Sequence, residues 1–145
     1  MNTVQQLIET FCDNFVNSYR SHSIHFNIKG TNFYSYHKLL EKIYEDSESI
    51  QDDLGELIRT LNEITPETIN EILSISTLPD SLAMGNSDLD LLQLVKEGQE
   101  HMVNSYMKLQ DVAELEGHVD IQNFAQDRIR THKKFIWMLE ATLQS

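Results

Sequence analysis

The stretch HSIHFNIKGTNFYSYHKLLEKIYEDSESIQDDLGELI, residues 22–58, joins the end of one predicted helix to nearly the whole of the next. Gly30 and Asn32 predict a turn, because these residue types adopt the left-handed backbone conformation that ends helices. Apolar residues recur at three- and four-residue spacing from about Val4 to Ile28 and again from about Tyr34 to Leu61. The sequence therefore predicts two long amphipathic helices joined by a tight turn.

Two further long helices are predicted in the second half of the chain. Ser87 and Asp88 open the third helix, Gly117 ends it, and Asp120 is expected to cap the fourth. A connection from about Asn62 to Asn86 separates the second long helix from the third, which is too long for a simple bundle loop.

A short helix is expected inside that connection. Thr65, Pro66 and Glu67 form a pattern typical of a helix start, and this helix should run to about Ile75. No segment has the alternating pattern of a strand. The prediction is one all-α domain over residues 1–145, a four-helix bundle with a short extra helix in the long crossover, which is the ferritin-like arrangement.

Composition restricts the class of protein. With 40% hydrophobic residues in 145, the chain is long enough and apolar enough to bury a core. Its net charge of −12 repels phosphate backbones and attracts cations. Since Cys12 is the lone cysteine, and no secretion signal or apolar run of about 18 residues is present, a cytoplasmic protein outside the membrane is expected.

Four residues around the turn form a candidate ligand set for a metal. His25 and His37 are equally far from the centre of the turn, and Asp52 and Glu56 follow further along the second helix. Imidazoles combined with carboxylates suit a borderline divalent metal such as iron. A helix rises about 1.5 Å per residue, which separates His37 from Asp52 by about 22 Å. Only a second copy, packed antiparallel across a two-fold axis, could bring the two halves together.

Spacing alone leaves other interpretations open. Acidic residues four apart are common on solvated helix faces, and a single histidine more often packs or caps than binds a metal. A di-iron site inside one bundle would need Glu-x-x-His motifs on two helices. No histidine of this chain is preceded by glutamate at that distance, so the ligands expected for an internal site are missing.

The same stretch resembles the signature region of the Dps family, the mini-ferritins that protect DNA during starvation. Its pattern is a paired His-x-x-His, an aromatic residue, a glycine turn, a Phe and another His, followed by an Asp and a Glu four residues later. A second block, HKKFIWMLEATL at residues 132–143, resembles the final helix of that family. The likeness covers nearly the whole chain.

The resemblance implies a role for each candidate ligand. His25 and His37 would supply nitrogen ligands from one subunit, and Asp52 and Glu56 would supply oxygen ligands from its two-fold partner. Glu41 stands where the family has an acidic residue near a second iron position, and it would bind directly or through water.

Three further features bear on the resemblance. His22, the first histidine of the pair, lies on the apolar stripe and is expected to pack or to support the ligands. Phe26 stands where the family usually has tryptophan, and a phenyl ring is a poor electron donor. The chain ends in ATLQS, without the lysine-rich tail of members that bind DNA.

The function implied by the resemblance is iron storage by a ferroxidase. Ferrous iron would bind between subunits, hydrogen peroxide would oxidise it, and ferric mineral would fill a homo-oligomeric shell of twelve chains. Weak or absent DNA binding is expected from the acidic charge. Two alternatives remain, a structural protein that compacts DNA and has a secondary metal site, and a bundle that only oligomerises.

Acidic residues near the turn between the third and fourth helices are candidates for lining a pore of such a shell. Within this set the turn from Glu116 to Asp127 is preferred, although a solvated helix end explains the same residues equally well. The set is Asp111, Glu114, Glu116, Asp120 and Asp127.

Overall fold

The computed structural model describes residues 1–79 and 87–144, and these residues form helices and no strand. The five helices are α1 Thr3–Asn27, α2 Phe33–Thr60, α3 Ile69–Ile75, α4 Asp88–Glu116 and α5 Val119–Leu143. The predicted all-α bundle with a short extra helix in the crossover is confirmed. Residues 80–86 of the predicted crossover lie outside the described part.

Two predicted helix boundaries are confirmed by their capping geometry. The Ser87 side chain accepts a hydrogen bond of 3.2 Å from the backbone N–H of Asp90 and so caps α4. Gly117 follows α4 with φ of +80°, and Gly30 in the α1–α2 turn has φ of +119°. A residue with a side chain would be strained at a positive φ, so glycine allows the chain to turn at these two positions.

The predicted start of α3 is wrong by several residues. Thr68, and not Thr65, caps this helix, because its hydroxyl accepts a hydrogen bond of 3.1 Å from the backbone N–H of Glu71. The Glu71 side chain in turn accepts a hydrogen bond of 2.8 Å from the backbone N–H of Glu67. This threonine–glutamate pair, three residues apart, satisfies two orphan donors and outweighs the Thr65–Pro66 signal.

The predicted cap of α5 is also wrong. His118 precedes the helix and makes no side-chain capping bond, and Asp120 lies inside the first turn. The left-handed turn at Gly117 brings the His118 N–H to within 2.8 Å of the Ala113 carbonyl oxygen. The chain can therefore enter α5 immediately at Val119, and the Asp120 carboxylate acts only through its favourable charge near the helix N-terminus.

Two apolar clusters fill opposite ends of the bundle. One contains Leu54, Ile58 and Tyr106 with neighbours from α1, α4 and α5, and the other contains Leu40, Ile43 and their neighbours. The positions between the clusters on each helix are buried and polar, namely Asn17, Ser21, Ser47, Gln99, Arg128 and His132. Among the described residues, no helix is both long and apolar enough to cross a membrane.

A buried carboxylate ties the crossover to the bundle. Asp13 on α1 is 1% exposed and accepts hydrogen bonds from the Ser76 hydroxyl (2.7 Å) and from the Thr77 N–H (2.6 Å) and hydroxyl (2.8 Å). His101 on α4 lies 3.0 Å from the same carboxylate. Burial raises the pKa of Asp13, but hydrogen bonds from His101, Ser76 and Thr77 outweigh burial and hold this pKa below its usual value.

The first prediction concerns Asp13. Its stabilisation is present above the unfolded-state pKa of about 3.9 and is lost as the pH falls through the depressed folded-state pKa. We expect Asp13→Asn to lower the free energy of unfolding at pH 7 by about 1–3 kcal/mol. The difference from wild type should shrink below about pH 4. Denaturant unfolding at both pH values measures it, with the exposed Glu114→Gln as control, and an equal loss at both values would contradict the prediction.

Candidate metal centre

His25 and His37 hold each other by reciprocal hydrogen bonds across the α1–α2 turn. Nδ1 of His25 lies 2.8 Å from the backbone oxygen of His37, and Nδ1 of His37 lies 2.8 Å from the backbone oxygen of His25. A carbonyl oxygen only accepts, so each Nδ1 must carry the proton. In the neutral rings, Nε2 then has the free lone pair, which is the form of histidine that binds metals.

The two imidazoles lie within a block of aromatic rings. Their ring centroids are 3.6 Å apart, and Phe33 stacks on the outer side of His37 at 4.8 Å. Phe26 meets His25 edge-on at 5.5 Å. Phe26 is therefore beside the histidines, at the place where the resemblance expects tryptophan.

His22 packs between rings and also touches an acid. Its ring stacks on Tyr44 at 3.8 Å and on Phe26 at 4.5 Å, and its Nδ1 lies 3.2 Å from the Glu48 carboxylate. The ring centroids of His22 and His25 are 5.9 Å apart. This placement agrees with a packing role for His22 and gives its ring no part in the stacked histidine pair.

Glu41 lies one turn along α2 from His37. Its carboxylate forms an ion pair of 3.0 Å with the Lys38 ammonium group. This hydrogen bond with Lys38, aided by the nearby imidazoles of His25 and His37, lowers the pKa of Glu41. The carboxylate is therefore charged at neutral pH, and an incoming cation would have to compete with Lys38 for it.

The carboxylates further along α2 form a second group. Asp52, Asp53 and Glu56 are exposed, and each offers an oxygen within 4.8 Å of the others. The ligand set predicted from the sequence did not include Asp53, although this residue lies three positions before Glu56 and so shares its helix face. Asp52 and Glu56, but not Asp53, border a surface hollow of about 370 Å³ that is also lined by Phe11, Gly55 and Arg59.

The structure does not bring the histidines and the carboxylates together within one chain. Helix α2 is continuous from Phe33 to Thr60, so His37 and Asp52 are about 22 Å apart along its axis. A second hollow, of about 210 Å³, lies between the two groups and is lined by Phe15, Tyr19 and Glu48, among others. Large aromatic side chains are exposed on this face of α1 and α2, with Tyr19 at 69% and Phe26 at 64%.

The middle of the bundle is occupied by the side chain of a cationic residue. Arg128 donates two hydrogen bonds to the Asp46 carboxylate, at 3.1 and 2.5 Å, and a third of 2.9 Å to Nε2 of His132. Nδ1 of His132 is 2.6 Å from the side-chain oxygen of Gln99. Burial, together with the Arg128 charge, lowers the pKa of His132 well below its usual value, so this imidazole is neutral.

Asp46 and His132, the carboxylate and the imidazole of this layer, are thus already engaged. The Asp46 carboxylate neutralises Arg128, and both ring nitrogens of His132 are hydrogen bonded. A guanidinium cation would also repel a metal cation entering the same space. The described interior therefore agrees with the missing Glu-x-x-His motifs.

The acidic residues near the α4–α5 turn have different surroundings. Glu116 accepts a hydrogen bond of 2.6 Å from the backbone N–H of Thr3 and a second, short one from the Thr3 hydroxyl. These bonds lower the pKa of Glu116 and commit its carboxylate to the start of α1. Asp120 and Asp127 are exposed, and Asp127 pairs with Arg130 at 2.9 Å.

Comparison with known proteins gives the family. The model of the ferritin-like domain family matches residues 4–145. The DNA protection during starvation protein of Helicobacter pylori is 31% identical over 143 residues, which cover 99% of each chain.

Solved structures agree with this assignment. Antigen TpF1 of Treponema pallidum superposes with a TM-score of 0.93 at 27% identity, over 99% of this chain and 92% of that one. The Dps structure from Listeria monocytogenes has a TM-score of 0.95 at 18% identity, over 100% and 95% of the two chains, and at that identity it supports the fold alone. With a ferritin-like domain along its length and a Dps relative of this similarity, the chain belongs to the Dps mini-ferritins.

Proposed function

We propose that this protein is an iron-storing ferroxidase whose site forms between two copies of the chain. His25 and His37 of one copy bind ferrous iron together with Asp52 and Glu56 of the other. Glu41 serves a second iron position after releasing Lys38. The fixed tautomer of the histidine pair carries the proposal, because it gives two neighbouring imidazoles a free Nε2 lone pair each.

The shape of α2 supports the two-fold pairing. In an antiparallel pair of identical helices, residues equally far from the axis meet. The midpoint between His37 and Asp52 falls about half way along α2, and the aromatic side chains of Tyr19 and Phe26 on the neighbouring α1 are exposed. Exposed aromatic surface of this extent is typical of an interface. One axis then pairs both half-sites with their partners at once.

The oxidation step balances with hydrogen peroxide as the oxidant. Two ferrous ions each give one electron to one peroxide molecule, whose O–O bond breaks. Water supplies the remaining oxygen of the ferric oxyhydroxide, and protons are released. The imidazoles and carboxylates hold the ions, and carboxylates favour the more highly charged ferric product. Because the reaction consumes ferrous iron and hydrogen peroxide together, it would protect the cell from oxidative damage by these two reagents.

Storage requires an enclosed shell, and the surface supports further contacts between chains. Leu115 and Val119, at the α4–α5 turn, are 86% and 64% exposed, although both are apolar. They lie beside Asp120, so an interface there would place carboxylates around an opening between copies. Such an opening would attract ferrous ions from solution. We propose that Asp120 and Asp127 line it, since Glu116 is bound to Thr3.

The second prediction tests the shared site by complementation. One subunit carries His25→Gln with His37→Gln, and the other carries Asp52→Asn with Glu56→Gln. Each variant alone should lose rapid ferrous oxidation, measured by stopped-flow absorbance of the ferric product. Co-expressed in equal amounts, they should regain roughly a quarter of the wild-type rate, because half of the pairs are mixed and each mixed pair keeps one of two sites.

The controls for this experiment are His118→Gln and Glu100→Gln, which change the same residue types away from the site and should oxidise iron normally. Full oxidation by either of the two double-variant parents would refute the ligand assignment. A mixture as inactive as its parents, in verified mixed pairs, would place each complete site within one chain.

The third prediction concerns assembly. Light scattering at neutral pH should give about 200 kDa, from twelve chains of 16.8 kDa. Leu115→Lys should reduce this mass, because burying an unpaired ammonium group at an interface is costly. The control Leu73→Lys changes another exposed leucine, on α3. If the wild-type protein does not assemble beyond a dimer, the proposed storage function is refuted, even if the protein oxidises iron.

The fourth prediction separates iron storage from DNA compaction. At about 0.15 M salt we expect no shift of linear duplex DNA in a gel titration, because 11 basic residues against 23 acidic ones leave few cations to displace counterions. Retardation at submicromolar protein would instead favour the DNA-compacting protein as the main function. Lowering the salt should reveal whether any such binding is only electrostatic.

A further inference from the structure

A cationic groove lies between α2 and α5, away from the histidine pair. It has a volume of about 430 Å³. Basic side chains from both helices line it, together with a hydroxyl group and an apolar floor: Lys42, Arg130, Thr131, Lys134, Phe135 and Met138. We refer to these residues as the α2–α5 groove.

The concentration of positive charge there is unusual for this chain. Only 11 of 145 residues are Lys or Arg, and three of them line this one groove. Among the described residues, neither Lys42 nor Lys134 forms an ion pair. Arg130 pairs with Asp127, but their side chains are 79% and 72% exposed, so water screens that pair.

The carboxylates nearest the groove do not fill it. Asp46, one turn from Lys42, is bound by the buried Arg128 guanidinium group. Glu45 borders the adjacent cleft and not the groove itself. Like charges that face each other across two packed helices repel, and an anion between them would turn that repulsion into attraction.

We propose that the α2–α5 groove binds inorganic phosphate. Phosphate presents several oxygen acceptors, and the lysine ammonium groups and the Arg130 guanidinium group are its usual donors in proteins. Lys42 approaches from α2, and Arg130 and Lys134 approach from α5, where they are four residues apart and so share a helix face. The groove is therefore lined by basic residues from both helices.

The position of the groove connects phosphate with iron, and this part rests on the proposed function. A neighbouring cleft of about 410 Å³ shares Lys42 and Met138 with the groove and is lined by Lys38 and Glu41 as well. Bound phosphate would therefore lie next to the cleft that Glu41, a proposed iron ligand, helps to line. Ferric ion is a hard cation that binds phosphate oxygens, so phosphate held there would enter the mineral with the iron.

Phosphate binding can be tested on the protein without iron. Equilibrium dialysis against radiolabelled inorganic phosphate should show saturable binding with about one site per chain. Lys42→Gln combined with Lys134→Gln should weaken it by about tenfold or more, since two charge-assisted contacts are lost. Lys108→Gln combined with Lys29→Gln, on exposed positions elsewhere, should change the affinity less than about twofold.

Three outcomes would overturn the proposal. They are binding that fails to saturate, equal binding by wild type and the groove variant, and an equal loss of affinity when the two control lysines are replaced. A parallel arm with adenosine monophosphate distinguishes the source of the phosphate group. If the nucleotide saturates the groove and inorganic phosphate does not, a phosphate ester is the ligand and the proposal is wrong.

The connection between phosphate and iron needs a separate measurement, the phosphate-to-iron ratio of the mineral. Wild type oxidising iron in phosphate should yield mineral with a higher phosphate-to-iron ratio than the groove variant, at equal oxidation rates. Equal ratios would refute the coupling to iron while leaving phosphate binding intact. Absence of iron oxidation in wild type would refute the proposed function, and dialysis would still decide the groove.

Discussion

The length of α2 is the constraint on which the proposed site depends. A continuous helix from Phe33 to Thr60 cannot fold back, so the histidines at its start and the carboxylates near its end are held apart. The histidine pair is rigid for a separate reason, because each ring is hydrogen bonded to the backbone of the other helix. In the proposed function, the rigid pair of nitrogens and the distant group of carboxylates are two halves of a site that a second chain completes.

The interior of the bundle supports placing the proposed site at the surface. Arg128 places a permanent cation between the two apolar clusters, and Asp46 offsets its charge. Removing either partner would leave a buried or half-buried charge uncompensated, which is strongly destabilising. Tyr106 packs against this pair, and burial raises the pKa of its hydroxyl to about 12, so the residue remains neutral.

The charge of the surface is divided in a way that suits iron and its counter-ion. Carboxylates dominate the end of α2 and the α4–α5 turn, where cations would approach. Basic residues collect instead in the α2–α5 groove, beside Glu41. Under the two proposals, ferrous iron approaches the carboxylates and phosphate binds in the groove.

Much of the fold followed from local rules. The apolar periodicity, the Ser87 cap and the glycines at 30 and 117 predicted the long helices to within a residue or two. The starts of α3 and α5 were misplaced because competing signals lay side by side. Thr65 and Thr68 are both plausible caps, and only the backbone geometry showed that Glu71 favours Thr68. At α5, the left-handed turn at Gly117 allows the helix to begin at Val119, which is earlier in the chain than the expected cap at Asp120.

The sequence by itself determined which residue types face one another in the proposed site and that one chain would not complete it, since helix rise is a fixed quantity. It did not determine the tautomer of the histidines, the joining of Asp53 to the carboxylate group, or the commitment of Glu116 to Thr3. Nor did it reveal that Lys42 would line the same groove as Arg130 and Lys134. Those contacts join residues from different helices or depend on side-chain conformation, and they are decided only when the helices pack.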